Sequence, residues 1–312
     1  MQAAIIRSYG SPIEIAEMPK PSPDKNSILV KVQSASINPL DNWAISGALQ
    51  NVMPVKMPHI IGYDVTGTIV EIGSAVRNFK IGDLIFARPD TNQAGTIAEY
   101  TSIKAMDAAI RPSNLSNNEC AAFPLVGLTA WQSLVEVGKL QKGQKVLIHA
   151  GSGGVGTIAI QIAKYIGAFI STTTSDANFA LVKRLGADTV INYKTEKFEE
   201  LLEDYDLVLD SLGGEVLERS AKVLNKHGLL VSVSVKAKES DTLIERMRQH
   251  LQLVYSWPSG ATLAELALLL EKGFLKPVID RVYPMHETQS ALDYLNKGRA
   301  KGKIVIDVLQ GK

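Results

Sequence analysis

Cysteine is almost absent from this sequence: among 312 residues only Cys120 carries a thiol. One thiol excludes an internal disulfide and a multi-cysteine zinc cluster, and it fits a reducing compartment, with the cytoplasm as the default. Net charge is nearly absent too, because 33 Lys and Arg face 32 Asp and Glu. No general field therefore draws nucleic acid or an anionic membrane, and small molecules are the expected partners. Long apolar runs are missing: the stretch Val155 to Ala163 is interrupted by polar residues and falls far short of the roughly 20 residues a membrane helix needs. The first residues, Met1-Gln2-Ala3-Ala4-Ile5-Ile6-Arg7, lack the basic-then-apolar pattern of a secretory leader. No repeat or low-complexity tract stands out.

What remains is the balance of a globular protein, 46% apolar and 21% charged. A chain of this length suits two domains with real cores. The first third holds β-branched or alternating runs at Ile28 to Val32, Thr66 to Ile72, Leu84 to Ala87 and Thr96 to Ile103. Turn formers at Pro19 to Pro23, Gly62, Gly73, Gly82-Asp83 and Pro89-Asp90 separate them, which predicts an antiparallel or barrel-like β domain. From Glu119 the rhythm changes. Ala121 to Val137 reads as a helix, and strands at Lys145 to His149, Phe169 to Thr173, Thr189 to Ile191, Leu207 to Asp210 and Leu229 to Val233 alternate with helices, the β-α-β pattern of a parallel sheet. A helix over Thr262 to Lys272 and strands at Val278 to Val282 and Lys303 to Val308 follow. That tail is strand-rich enough to rejoin the first domain.

The strongest chemical signal is Val146-Leu147-Ile148-His149-Ala150-Gly151-Ser152-Gly153-Gly154-Val155-Gly156. It places G-x-G-x-x-G between an apolar strand and the helix Thr157 to Ile166, the context that makes this pattern informative. Gly151 permits the tight turn, Gly153 lets the backbone approach a pyrophosphate, and Gly156 lets helix and strand pack closely. Free N–H groups and partial positive charge at the helix start suit phosphates. At the end of the second strand an NAD site usually shows an acid, but here the segment reads Ser171-Thr172-Thr173-Thr174-Ser175, with Asp176 only afterwards. Small hydroxyl residues leave room for a 2′-phosphate and favour NADPH. Ser175 is alternatively a plain helix N-cap.

Landmarks along the whole length carry a resemblance: Asn38-Pro39-x-Asp41, Gly62-Tyr63-Asp64-Val65-x-Gly67, Val70-x-x-Ile72-Gly73 with Gly82-Asp83, Gly127-Leu128-Thr129-Ala130, the glycine loop, Leu185-Gly186-Ala187-Asp188 with Ile191-Asn192-Tyr193, Asp210-Ser211-Leu212-Gly213-Gly214 and Gly302-Lys303-Ile304-Val305. In this order they resemble the medium-chain dehydrogenase/reductase superfamily, in its zinc-free, zeta-crystallin-like quinone oxidoreductase branch. The resemblance implies an α/β chain in which a discontinuous GroES-like β-rich domain from both termini (1–118 and 262–312) flanks a Rossmann domain (119–261), with a cleft where cofactor and substrate meet. It also implies that Ser175 and Tyr193 hold the 2′-phosphate. Asn38 and Thr129 are then expected near the nicotinamide, with Leu212, Val233 and Ser234 as its wall. Three residues past Ser175 the family often has a basic residue; this chain has Asn178, with Lys183 and Arg184 as more distant cations. Tyr193 reads alternatively as an aromatic packed at a strand end, and Asn38 equally as a turn residue before Pro39.

Where zinc-dependent relatives place a cysteine ligand this chain has Asn38, and where they place a histidine it has Tyr63. Cys120 alone cannot build a site of three or four N/S ligands, and His59 has no neighbouring ligands, so no metal is expected. Without a Lewis acid the acceptor must be activated already. Quinones and α,β-unsaturated carbonyl compounds meet that need, since charge delocalises onto a conjugated oxygen and cofactor positioning supplies most of the catalysis. Tyr63 is the first candidate to hydrogen-bond the carbonyl oxygen, with packing in the β domain as the other reading; Tyr255 is a second candidate. The Gly62-Tyr63-Asp64-Val65 and Ala94-Gly95-Thr96-Ile97-Ala98-Glu99-Tyr100 stretches also resemble the alkenal reductase branch, which leaves quinone and enal both open. A reading of another class is an NADPH-binding redox sensor without turnover. The Leu251 to Trp257 run suits an edge strand through which Rossmann domains pair, so a homodimer is expected.

Overall fold

In the computed structural model residues 1–48, 50–51, 54–90, 95–234 and 250–310 are described. Their strands are, in chain order, β1 (Gln2–Ile6), β2 (Glu14–Glu17), β3 (Ser27–Ile37), β4 (His59–Ile60), β5 (Asp64–Ile72), β6 (Leu84–Ala87), β7 (Tyr100–Lys104), β8 (Ala108–Ile110), β9 (Lys145–Ile148), β10 (Phe169–Thr174), β11 (Thr189–Asn192), β12 (Tyr205–Asp210), β13 (Leu224–Ser232), β14 (Leu251–Leu253), β15 (Ile279–Pro284) and β16 (Lys303–Asp307). The chain forms two compact units: Met1–Leu125 with Trp257–Lys312, and Val126–Ser256. No helix among the described residues is long and apolar enough to cross a membrane.

Unit 1 is built on β3, whose apolar residues alternate with Lys31, Gln33 and the serines of its second half. Its sheet runs β15-β16-β3-β5-β6-β8, and β7 also pairs with β3. The two partners on that side of β3 divide its length: β7 pairs with Ser27 to Lys31, and β16 pairs antiparallel with Ser34 to Ile37. A crossover through the helix Thr288–Asn296 lays β15 parallel to β16. The apolar core between these strands includes Val30, Val32, Ile69, Ile85 and Ile306. Residues 96–99, expected as the start of a strand, lie outside β7. Their backbones bond instead to Ile61, Ala4 and Gln2, which ties β1 into the unit and leaves β7 to begin at Tyr100.

Unit 2 is a six-stranded parallel sheet in the order β11-β10-β9-β12-β13-β14, the doubly wound arrangement whose switch point lies beside its first strand. Its strands β9, β12 and β13 each carry a buried apolar run, Val146 to Ile148, Leu207 to Leu209 and Leu230-Val231, as a sheet covered on both faces requires. The helix expected over Ala121 to Val137 is broken in three: Asn117–Ala121, Pro124–Trp131 and a π-helical turn Gln132–Val137. Pro124 has no N–H to continue a helix but is well placed to start one. The unit boundaries also differ from 118 and 261. Residues 119–125 and 257–261 belong to unit 1, held there by Leu125 N–H on Asp64 at 2.7 Å and by Gly260, whose missing Cβ would meet the Ala108 carbonyl at 2.3 Å.

Candidate cofactor and active-site residues

The turn between β9 and the helix Gly154–Ile166 is fixed from both sides. His149 N–H donates to Leu209 O and Gly151 N–H to Thr173 O, each at 3.0 Å, so β12 and β10 grip the loop. The glycines do different work. A Cβ on Gly151 would meet Thr172 Oγ1 at 2.0 Å, and one on Gly156 would meet Ala150 O at 2.3 Å and Gly151 Cα at 2.7 Å. A Cβ on Gly153 would find only Ala150 O, at 3.3 Å. Gly151 and Gly156 are thus packing glycines, buried, while Ser152, Gly153, Gly154 and Val155 stay half-exposed. The first intrahelical bond is Thr157 N–H to Gly153 O, 3.0 Å, which leaves the N–H groups of Gly154, Val155 and Gly156 without helical acceptors. An open Cα at Gly153 and N–H donors at a helix start fit a pyrophosphate. Bound there, NADPH would supply the hydride; Gly153, Gly154, Val155 and Ser152 are the residues that would hold it.

His149, not singled out from the sequence, ties this loop to its neighbours. Its ring stacks edge-on against Phe198 with centroids 4.7 Å apart. Ser220 Oγ donates to Val216 O at 2.6 Å and lies 2.8 Å from His149 Nε2. Since the serine hydrogen is already used, Nε2 must carry the proton and Nδ1 must accept, from Thr173 Oγ1 at 3.1 Å. That is a neutral imidazole, and burial holds it so by pulling its pKa down to about 4. Asp210, at the end of β12, is fully buried and accepts from Ser232 Oγ at 2.6 Å, Leu212 N–H at 3.0 Å and Gly213 N–H at 3.1 Å. It thereby shapes the turn that carries Leu212. Leu212 is 43% exposed and Ser234 9%; Val233 N–H donates to Asp210 O at 2.9 Å, so both segments hang on one aspartate. Thr129 lies buried in the helix Pro124–Trp131, and Tyr255 is exposed.

At the end of β10 the structure brings together Ser152, Thr174, Ser175 and Asn178. Thr174 Oγ1 donates to Ser152 Oγ at 2.9 Å, and Asn178 Nδ2 reaches Ser152 Oγ at 3.0 Å and Ser175 Oγ at 3.4 Å. Ser175 occupies the N-cap of a short 3-10 turn but makes no side-chain cap bond, so its hydroxyl is not spent there. Tyr193 N–H donates to Thr174 O at 3.3 Å, and its side chain is 62% exposed, a position at the strand end open to a ligand. Lys183 and Arg184 are exposed in the last turn of the helix Phe179–Leu185.

Unit 1 holds a buried polar cluster that arises from strand register. Pairing of Ser36 with Asp64 and of Ile37 with Ile304 sets Asn38, Asp64 and Lys303 side by side. Asp64 Oδ2 accepts from Ser36 Oγ at 2.7 Å, Asn38 Nδ2 at 2.8 Å and Lys303 Nζ at 3.3 Å, while Oδ1 takes Leu125 N–H. Lys303 Nζ also donates to Ile37 O at 2.7 Å and to Asn38 Oδ1. Asn38 is therefore the N-cap of the helix Pro39–Ser46, with its amide engaged at both ends. Asp41 accepts from the N–H groups of Asn38 at 2.7 Å and Gly62 at 2.9 Å, and burial pushes its carboxyl up to about 7. Tyr63 is fully buried, its hydroxyl without a hydrogen-bond partner among the described residues; burial raises its pKa, so it stays a protonated donor. Burial also pushes the Cys120 thiol up to about 11, too high for a nucleophile. Among the described residues no three His, Cys, Asp or Glu side chains are grouped to hold a metal ion.

Comparison with known proteins places this architecture. Residues 24–113 match the family described as "Alcohol dehydrogenase GroES-like domain", and residues 185–306 the one described as "Zinc-binding dehydrogenase". The chain is 33% identical to 2-methylene-furan-3-one reductase of Solanum lycopersicum, over 98% of this chain and 79% of that one. It is 32% identical to a chloroplast envelope quinone oxidoreductase homolog of Arabidopsis thaliana, over 98% of each. Among solved structures it is similar to the quinone oxidoreductase from Coxiella burnetii, with a TM-score of 0.91, 32% identity and 99% of each chain covered. It is similar also to Escherichia coli quinone oxidoreductase complexed with NADPH, with a TM-score of 0.88, 27% identity and 98% and 100% covered. With a glycine loop on a doubly wound sheet, a GroES-like β unit and relatives alike along nearly its whole length, the chain belongs to the medium-chain dehydrogenase/reductase superfamily.

Proposed function

We propose that the chain is an NADPH-dependent, metal-independent reductase that passes hydride to quinones or related α,β-unsaturated carbonyl compounds. The observation that carries this reading is the glycine loop: Gly151 and Gly156 are packed shut while Gly153 is open, beside serine hydroxyls where an NAD site would show an acid. Relatives named quinone oxidoreductase homolog and NADPH-dependent alkenal/one oxidoreductase support both acceptor classes. The enone reading draws further on the relative named 2-methylene-furan-3-one reductase.

Metal independence rests on ligand chemistry. The buried acid beside Asn38 and Tyr63, Asp64, already serves an ammonium, an amide, a hydroxyl and a backbone N–H. Asn38 offers no thiolate, and Tyr63 no imidazole. Tyr63 contributes a buried, protonated hydroxyl in need of an acceptor, which we assign to the carbonyl oxygen on which negative charge gathers as hydride arrives. Asn38 and Thr129 are assigned to the nicotinamide half, and Leu212, Val233 and Ser234 to its wall. The cytoplasm is the proposed compartment, and a homodimer joined through β14 the proposed assembly.

The test is oxidation of NADPH followed optically with a panel of quinones and enals, in the presence of a chelator. Turnover that resists the chelator is expected, and the best acceptor chooses between the two classes. Loss of activity to the chelator would overturn the metal-free mechanism, and NADPH binding without reduction of any acceptor would favour a redox sensor.

A further inference from the structure

Ser152, Thr174, Ser175 and Asn178 form one hydrogen-bonded group whose polarity is set by a single amide. Ser152 Oγ accepts from Thr174 Oγ1 at 2.9 Å and from Asn178 Nδ2 at 3.0 Å. A hydroxyl has two lone pairs and one hydrogen. With both lone pairs engaged, Ser152 can only donate to whatever approaches. Asn178 Nδ2 also reaches Ser175 Oγ, at 3.4 Å, and turns that hydroxyl's hydrogen outward as well. In this orientation the group offers donors, which suits a phosphate.

Behind the amide, Asn178 Oδ1 is buried with no hydrogen-bond partner. Among the described residues no donor anchors the observed orientation from that side. Rotation of the carboxamide by about 180° puts the amide NH2, with its two hydrogens, where the unpaired oxygen was. Oδ1 then faces Ser152 and Ser175 and takes their hydrogens. Each serine oxygen keeps a lone pair for a ligand, which suits a free hydroxyl. A lysine or arginine in place of Asn178 would favour the phosphate alone, and a carboxylate would favour ribose hydroxyls alone.

We propose that Asn178 is a reversible polarity switch at the adenosine ribose site, through which the chain takes the 2′-phosphate of NADPH or the free 2′-hydroxyl of NADH with little discrimination. The inference rests on the nicotinamide-cofactor reading and deepens it. Its formal neutrality is part of the device: Asp176, Lys183 and Arg184 are all exposed, and no fixed charge belongs to the hydrogen-bonded group.

The experiment is calorimetric titration of the purified protein with NADPH and with NADH, no acceptor present. Dissociation constants within about tenfold of each other are expected. Asn178→Asp, an acceptor-only isostere, should weaken NADPH by about 100-fold while moving NADH by less than about threefold. Asn178→Lys should raise the preference for NADPH by about tenfold or more. Wild-type protein that holds NADPH some 100-fold tighter than NADH would overturn the switch and leave the reductase reading intact. Equal weakening of both cofactors by Asn178→Asp would overturn it too. If the wild type bound neither cofactor, the glycine-loop reading and the switch would fall together.

Discussion

Among the described residues the buried hydroxyl of Tyr63 has no hydrogen-bond partner. An unmade buried hydrogen bond costs free energy, so Tyr63→Phe should stabilise the fold by about 1 kcal/mol. If the same hydroxyl serves the substrate carbonyl, kcat/KM should fall by about tenfold or more in that variant. Thermal melts and steady-state kinetics on one preparation separate the two roles: stabilisation with unchanged kinetics would leave Tyr63 as packing alone. His149 gives a second residue-scale test. Its folded pKa of about 4 lies below the ordinary 6.5, so between those values the unfolded chain holds a proton that the folded chain refuses. Stability contributed by neutral His149 is present above pH 6.5 and drains away as the pH falls towards 4. Asp41 works in the opposite direction, because its folded pKa of about 7 lies above 3.8; its contribution is full below pH 3.8 and fades as the pH rises through 7. Urea midpoints from pH 7 to 5 should therefore drop more steeply for wild type than for His149→Gln, whose amide keeps one donor and one acceptor but cannot titrate. Parallel curves would show that His149 is not the group responsible. Neither residue was legible as a site. His149 sits in an apolar strand end, and its tautomer depends on Ser220, 71 positions away.

The glycine loop lets the same distinction be drawn at the scale of an element. Gly156→Ala forces a methyl into backbone at 2.3 Å, which should cost about 1–3 kcal/mol and lower the melting temperature. Gly153→Ala meets only one atom at 3.3 Å; its melt should stay near wild type while the NADPH dissociation constant rises by about tenfold or more. Equal melting losses in both would remove the division of labour between them. Elements around this loop were readable because their signals are local: a run of β-branched residues, a G-x-G-x-x-G and a 3.6-residue period sit within one window. β1 and β2 escaped notice, being short and backed by neighbours far along the chain, and so did the helix Pro39–Ser46, eight residues with a mixed face. Strand β14 proved shorter than the Leu251 to Trp257 run, ending at Leu253.

For the whole molecule, the proposed homodimer rests on β14, which ends its sheet among the described residues. Val254 N–H donates to Ser232 O at 2.8 Å. Because N–H groups alternate sides along a strand, that of Leu253 points away from β13. Leu253→Pro should keep the parallel sheet but remove a donor from the outer edge. Light scattering is expected to give twice the 33.8 kDa chain mass for wild type and a single chain mass for the variant; a wild-type monomer would refute pairing through this strand. The cluster of Asn38, Asp64 and Lys303 was the least legible feature at this scale. All three lie within short landmarks, yet nothing local announces that residues 265 positions apart share a hydrogen bond. Only the antiparallel register of β16 on β3 brings them together.

That register also sets an order of events during synthesis. While the ribosome is still making the middle of the chain, Ser34 to Ile37 have no β16 to pair with, and Asp64 waits without its ammonium. Unit 2, being continuous in sequence, can finish its own sheet before then. β3 is thus made long before its partner, and until β16 arrives that stretch of its edge stays open to other strands.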